Sequence, residues 1–167
     1  MNRFSKQKGF TLIELLIVIA IVGILSSVVL VALGNARLKA QDAKRISEIR
    51  SIETALEEYY TSNGQYPASD MDGTGGWDVG NQTLTFLSNL GVDVPEDPVK
   101  TGSSAGYVYY RYNPGSGGCD SNKGSFYVLG ITDLESSSRP SPDSPGFSCP
   151  LRDWQTSMDW VTGRFEN

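Results

Sequence analysis

Between Phe10 and Leu33 the only ionisable side chain is Glu14, inside the run KQKGFTLIELLIVIAIVGIL at residues 6–25. A charge placed in hydrocarbon is costly, so such a residue marks a functional site by default. Other chemistry is sparse. The chain has no histidine, which removes the commonest general base and the commonest metal ligand. Its two cysteines, Cys119 and Cys149, read as a disulfide in an exported protein and as two free thiols in a cytosolic one. GTGGWDVG at 73–80 lacks the lysine and the serine or threonine of a phosphate-binding loop. Asn81-Gln82-Thr83 fits a glycosylation acceptor pattern that is common by chance. With no nucleophile–base pair or recognisable carboxylate dyad, no catalytic residue is expected, and the chain reads as a non-enzyme.

The elements that must position Glu14 are legible from periodicity. A helix over the 24 residues from Phe10 to Leu33 would span ~36 Å, enough for a hydrocarbon core of ~30 Å. Arg3, Lys6 and Lys8 precede it, which favours a cytoplasmic N-terminus, with the rest of the chain expected on the other side. The run is too long for the apolar region of a cleavable secretory signal. A plain signal anchor fits its length but leaves Glu14 unexplained. From Asn35 to Thr61 there is no proline, and Leu38, Ala43, Ile46, Ile49, Ile52, Leu56 and Tyr59 recur mostly at three- and four-residue steps, an amphipathic stripe. A single helix from Phe10 to about Thr61 is therefore expected, roughly 78 Å long.

The chain carries 14 basic and 19 acidic residues. Without Arg3, Lys6 and Lys8 the balance is 11 against 19, a net charge of −8, and no basic face of the kind nucleic acids require is left. The basic residues between Arg37 and Arg50 are interleaved with Asp42 and Glu48 and read as a solvated helix face. SNGQYP at 62–67 stops the helix. Residues 68–104 are glycine-rich, with one short helix expected over 83–90. YVYYRY (107–112) and SFYVLGI (125–131) read as two antiparallel strands separated by PGSGG. A serine–proline loop follows at 136–145, and the segment from Asp153 to Phe165, with Trp154, Trp160 and Val161, reads as a last strand or a capping turn. The expected class is α+β: a long N-terminal helix, its apolar half protruding, packed on a small antiparallel sheet.

KGFTLIELLIVIAIVGIL (8–25) resembles the class III signal of type IV prepilins and type II secretion pseudopilins, and the likeness stays visible to about Pro67. The resemblance implies a leader at 1–9 that prepilin peptidase removes by cutting after Gly9. Phe10 is then the new, N-methylated N-terminus. It implies a transmembrane and filament-core helix at 10–34 and an amphipathic continuation at 35–62. A connecting loop would occupy 63–103, with sheet and C-terminal loop at 104–167. Glu14 becomes the fifth mature residue. Its partner is the new α-amino group, largely protonated at neutral pH, of a neighbouring subunit; Thr11 belongs to the same assembly segment. The family's proline some eight residues after the position of Gly23 is replaced here by Val31.

The same resemblance implies a Cys119–Cys149 disulfide closing the exposed C-terminal loop, with a stabilisation of ~3–4 kcal/mol in the chain-entropy model. It offers Asp133, Glu135 and Asp143 as oxygen ligands for calcium, although exposed loop acids are the commoner reading and no cofactor is otherwise expected. The implied partners are further copies of the chain, prepilin peptidase and a membrane assembly platform, with no nucleic acid. The implied location is the cytoplasmic membrane, then a surface filament. The cysteine pair resembles pilins, whereas Asp97-Pro98 and Leu129-Gly130 resemble the major pseudopilin. The alternative of another class is an anchored extracellular binding domain that never polymerises.

Overall fold

The computed structural model describes residues 9–167 except 72, 92, 137 and 138. The positive charges at Arg3, Lys6 and Lys8 and most of the expected leader lie outside the described residues. One helix, α1, runs Leu12–Asn63 without interruption. Its end is chemical: Gly64 takes a left-handed φ of 71° that costs glycine little, and its amide donates to Tyr60 O at 2.7 Å.

The chain divides into two compact units, residues 1–38 and 39–167. The first holds the apolar part of α1. Every large aliphatic side chain from Leu12 to Leu33 is at least half exposed in the single chain. Such a surface is stable only against lipid or other helices. The helix is long and apolar enough to cross a membrane, by length and composition.

In the second unit the remainder of α1 covers a four-stranded antiparallel sheet with strand order β1-β2-β3-β6. The strands are β1 Asp78–Gly80, β2 Tyr107–Tyr112, β3 Phe126–Ile131 and β6 Trp160–Phe165. A short ribbon of β4 (Ser148–Cys149) and β5 (Arg152–Asp153) lies between β3 and β6 in sequence. The fold is thus α+β, a long N-terminal helix with a small antiparallel sheet. Alternation along each strand sorts residues onto two faces. Tyr107, Tyr109, Tyr127, Leu129, Ile131 and Trp160 pack with Ile49, Ile52 and Leu56 of α1. Val79, Val108, Val128 and Val161 turn the other way and pack with Cys119, Cys149, Trp154 and Met158.

The structure adds strands that local patterning does not reveal. β1 arises within GTGGWDVG, and Gly80 is where Phe86 closes on the sheet: an added Cβ would lie 2.4 Å from Phe86 Cγ. The expected helix over 83–90 shrinks to one 3-10 turn, Ser88–Leu90. Leu87 is left-handed, its amide donates to both oxygens of Asp78 at 3.1 Å, and it is fully buried. That side-chain acceptor competes with the helical ladder. The C-terminal segment, expected to be a last strand or a capping turn, contains a turn at Trp154–Thr156 and then strand β6.

Candidate functional site: the N-terminal segment and the anchored helix

At the start of α1, Thr11 precedes the first helical residue, and Glu14 is the third residue inside. The Glu14 carboxylate accepts from the Thr11 amide at 2.9 Å and from its hydroxyl at 2.6 Å. Thr11 Oγ1 in turn accepts from the Glu14 amide at 3.3 Å. This reciprocal pair is a capping box, which satisfies two donors that the first helical turn leaves orphaned. The negative charge also lies at the positive end of the helix dipole. Glu14 therefore has a structural partner within its own chain, and it stays fully exposed at the same time. Phe10 is 84% exposed, and Gly9 has open space around its Cα. A protease reaching this bond meets no side-chain obstruction among the described residues. Gly23 and Gly34 likewise have nothing within 4 Å of an added Cβ.

The continuation of α1 is anchored by charge as well as by its stripe, which sequence patterning missed. Asp42 and Arg45, expected on a solvated face, are 5% and 2% exposed. Arg45 Nη1 contacts Asp42 Oδ1 at 3.2 Å, and its Nε lies 3.0 Å from Asp97 Oδ2. Its Nη2 reaches Asp97 Oδ1 at 3.3 Å and Glu135 Oε1 at 3.6 Å. Asp42 also accepts from the Glu135 amide, the Ser136 amide and the Ser136 hydroxyl. Burial pushes the Asp42 carboxyl up, but the Ser136 and Glu135 donors and the Arg45 guanidinium outweigh it and hold it below the ordinary carboxylate value. Glu48 accepts a short hydrogen bond from the hydroxyl of Tyr107. The helix is thereby fastened to the loop carrying Asp97 and to the loop after β3. The spacing of Asp42 and Arg45 is that of an ordinary exposed pair, so only their distant partners distinguish them.

Two of the three acids offered for calcium lie together. Asp133 and Glu135 converge on Lys100 Nζ at 3.0 and 2.6 Å, so both carboxylates are already paired with one lysine ammonium. Asp143 is not brought to them, and no group of three metal-ligating side chains forms among the described residues. Asn81 is fully buried and its amide donates to Gly102 O and Ala105 O, both at 2.7 Å; the glycosylation pattern is spent on structure. Cys119 and Cys149 are joined as a disulfide, with Trp154 in the same cluster.

Residues 4–30 match the family model described as prokaryotic N-terminal methylation motif. Similar proteins include the type II secretion system core protein G of Escherichia coli (strain K12), 40% identical over 71 residues. The start of the chain carries that methylation motif. The match to the Escherichia coli protein covers 42% of this chain and 49% of the relative. The fimbrial protein of Neisseria meningitidis serogroup A is 47% identical over 64 residues, 38% of each chain. The core protein G of Vibrio cholerae serotype O1 is 40% identical over 71 residues, again 42% of this chain and 49% of the relative. The chain thus spans about half the length, or less, of the curated relatives it matches. No solved structure matches it.

Proposed function

We propose that this pilin-like chain is a structural subunit of a type IV pilus or related filament. Prepilin peptidase cuts after Gly9 and methylates Phe10, and the apolar part of α1 then leaves the membrane to pack among copies of itself. The carrying observation is an exposed apolar helix whose first turn holds Glu14 on the amide and hydroxyl of Thr11, the residue after the N-terminus that cleavage would create. Cleavage creates an α-amino group at Phe10, four residues from Glu14, that the uncut chain lacks. Both Thr11 donors go to Glu14 Oε2, and a carboxylate has more lone pairs than two donors fill, so Glu14 can still accept from an added cation. The Glu14–amine contact with a neighbouring subunit therefore acts as a register device, favouring subunits whose leader has been removed. No catalytic residue enters this reading. The second reading, a major pseudopilin of a type II secretion system, is favoured by the relatives named core protein G.

The test is a pair of substitutions made in cells. With Gly9→Ala, N-terminal sequencing is expected to find the leader retained. With Glu14→Ala, cleavage at Phe10 is expected to persist while sheared surface fractions lose the filament in electron micrographs. Full-length filaments built from Glu14→Ala subunits would refute the assembly role. Fibres from the unsubstituted chain support the pilus, and absence of surface fibres with intact protein secretion supports the pseudopilus.

A further inference from the structure

The sheet face turned away from α1 is not fully covered. Trp154 and Met158 close it over β3 and β6. Toward β1 and β2 an open cleft of about 190 Å³ remains, between Trp77 and the turn that carries Met158. Its floor is apolar: Val79, Val108 and Met158 are 1%, 4% and 4% exposed. One wall is Trp77, only partly buried, held by Tyr110 at 5.5 Å and by the edge of Tyr112 at 6.1 Å between ring centroids. Arg152 stands at the rim, its guanidinium 5.5 Å from the centroid of Trp154. It is exposed and forms no ion pair among the described residues. Ser157, also at the rim, donates its hydroxyl hydrogen to Trp154 O, which leaves its oxygen to accept.

We propose that this cleft binds a single acidic pyranose ring, a hexuronic acid or the like, independently of filament assembly. Its volume is below the roughly 300–1,000 Å³ of sites for drug-sized ligands and suits one ring. An indole wall over an apolar floor accepts the C–H face of a sugar, while the Ser157 hydroxyl oxygen and the Arg152 fork of N–H donors serve its polar edge. The charge selects the acid. Arg152 is a planar bidentate donor that matches a carboxylate, and its stacking on Trp154 holds the fork in place without using its hydrogen bonds.

The test uses the full chain in detergent micelles, following the three tryptophan indole N–H signals by NMR during titration with glucuronic acid. A saturable shift confined to Trp77 is expected, with glucose at least tenfold weaker. Arg152→Gln is expected to weaken glucuronate about tenfold or more while the Trp154 and Trp160 signals keep their native dispersion. Trp77→Leu is expected to abolish binding with the same two signals intact. The proposal is overturned if Trp77 shows no saturable shift at millimolar ligand, or if glucose binds as tightly as glucuronate. Unchanged binding by Arg152→Gln overturns it too. Tighter binding of benzoate than of glucuronate would replace the sugar by a flat aromatic acid.

Discussion

Arg45 is where the charge network of α1 is most exposed to a single perturbation. In Arg45→Met the aliphatic stem is kept and the guanidinium is lost. Asp42 would retain three donors, from the Glu135 amide and from the amide and hydroxyl of Ser136. Asp97 would fare worse. It is fully buried, and Val99 N still donates to its Oδ1 at 3.0 Å. Its Oδ2, however, has no hydrogen-bond partner among the described residues, only the ionic contact with Arg45 Nε at 3.0 Å. Removing one member of a buried ion pair and stranding the other costs about 3–5 kcal/mol. For the unit at 39–167, unfolding entropy of about 2.1 cal/mol/K per residue converts this to a fall in Tm of roughly 10–20 °C. Thermal melts of the full chain in detergent, followed by near-ultraviolet circular dichroism, measure it. The double variant Arg45→Met/Asp97→Asn is expected to recover part of the loss, because the stranded charge is gone. A loss under about 1 kcal/mol for Arg45→Met, or no recovery in the double variant, would refute the claim that this pairing anchors the helix.

Opening the disulfide by Cys119→Ser/Cys149→Ser is expected to cost ~3–4 kcal/mol, read in urea titrations, with the C-terminal loop becoming sensitive to protease. Acid should weaken the same unit. Arg111 and the Tyr66 amide outweigh burial and hold Glu166 below the ordinary carboxylate value, and Asp42 is lowered likewise. Depressed folded-state values give stability that is complete above the unfolded-state pKa of about 4 and is lost as pH falls through the folded values. Urea midpoints that stay flat from pH 6 to pH 3 would contradict this. Gly163→Ala would place a Cβ 2.6 Å from Tyr127 O and 2.7 Å from Phe147 Cδ2, contacts that force backbone and ring apart. A loss of about 1–3 kcal/mol is expected, measured by the same urea titrations.

Much of the architecture is legible locally. The unbroken apolar run and the helical stripe predict α1, and Ile49, Ile52 and Leu56 of that stripe are fully buried. Aromatic and β-branched runs place β2 and β3 within a residue of where they lie. The three-residue β1 is too short to carry a pattern, and it exists only because β2 offers it a ladder from Asp78–Tyr109 to Gly80–Tyr107.

The sequence by itself determined the capped start of α1, on which the proposed processing and assembly role rests. Glycine, phenylalanine, threonine and glutamate lie within six residues of one another, and a single helical turn is enough to join Thr11 to Glu14. Tertiary structure alone decided which charges of α1 are structural. Asp42 and Arg45 read locally as a solvated ion pair, because an exposed pair and a buried anchor share the same helical spacing. What separates them is Asp97, 52 positions from Arg45, and the 135–136 backbone, over 90 positions from Asp42. Such partners are chosen by chain closure and desolvation, neither of which leaves a local period to read.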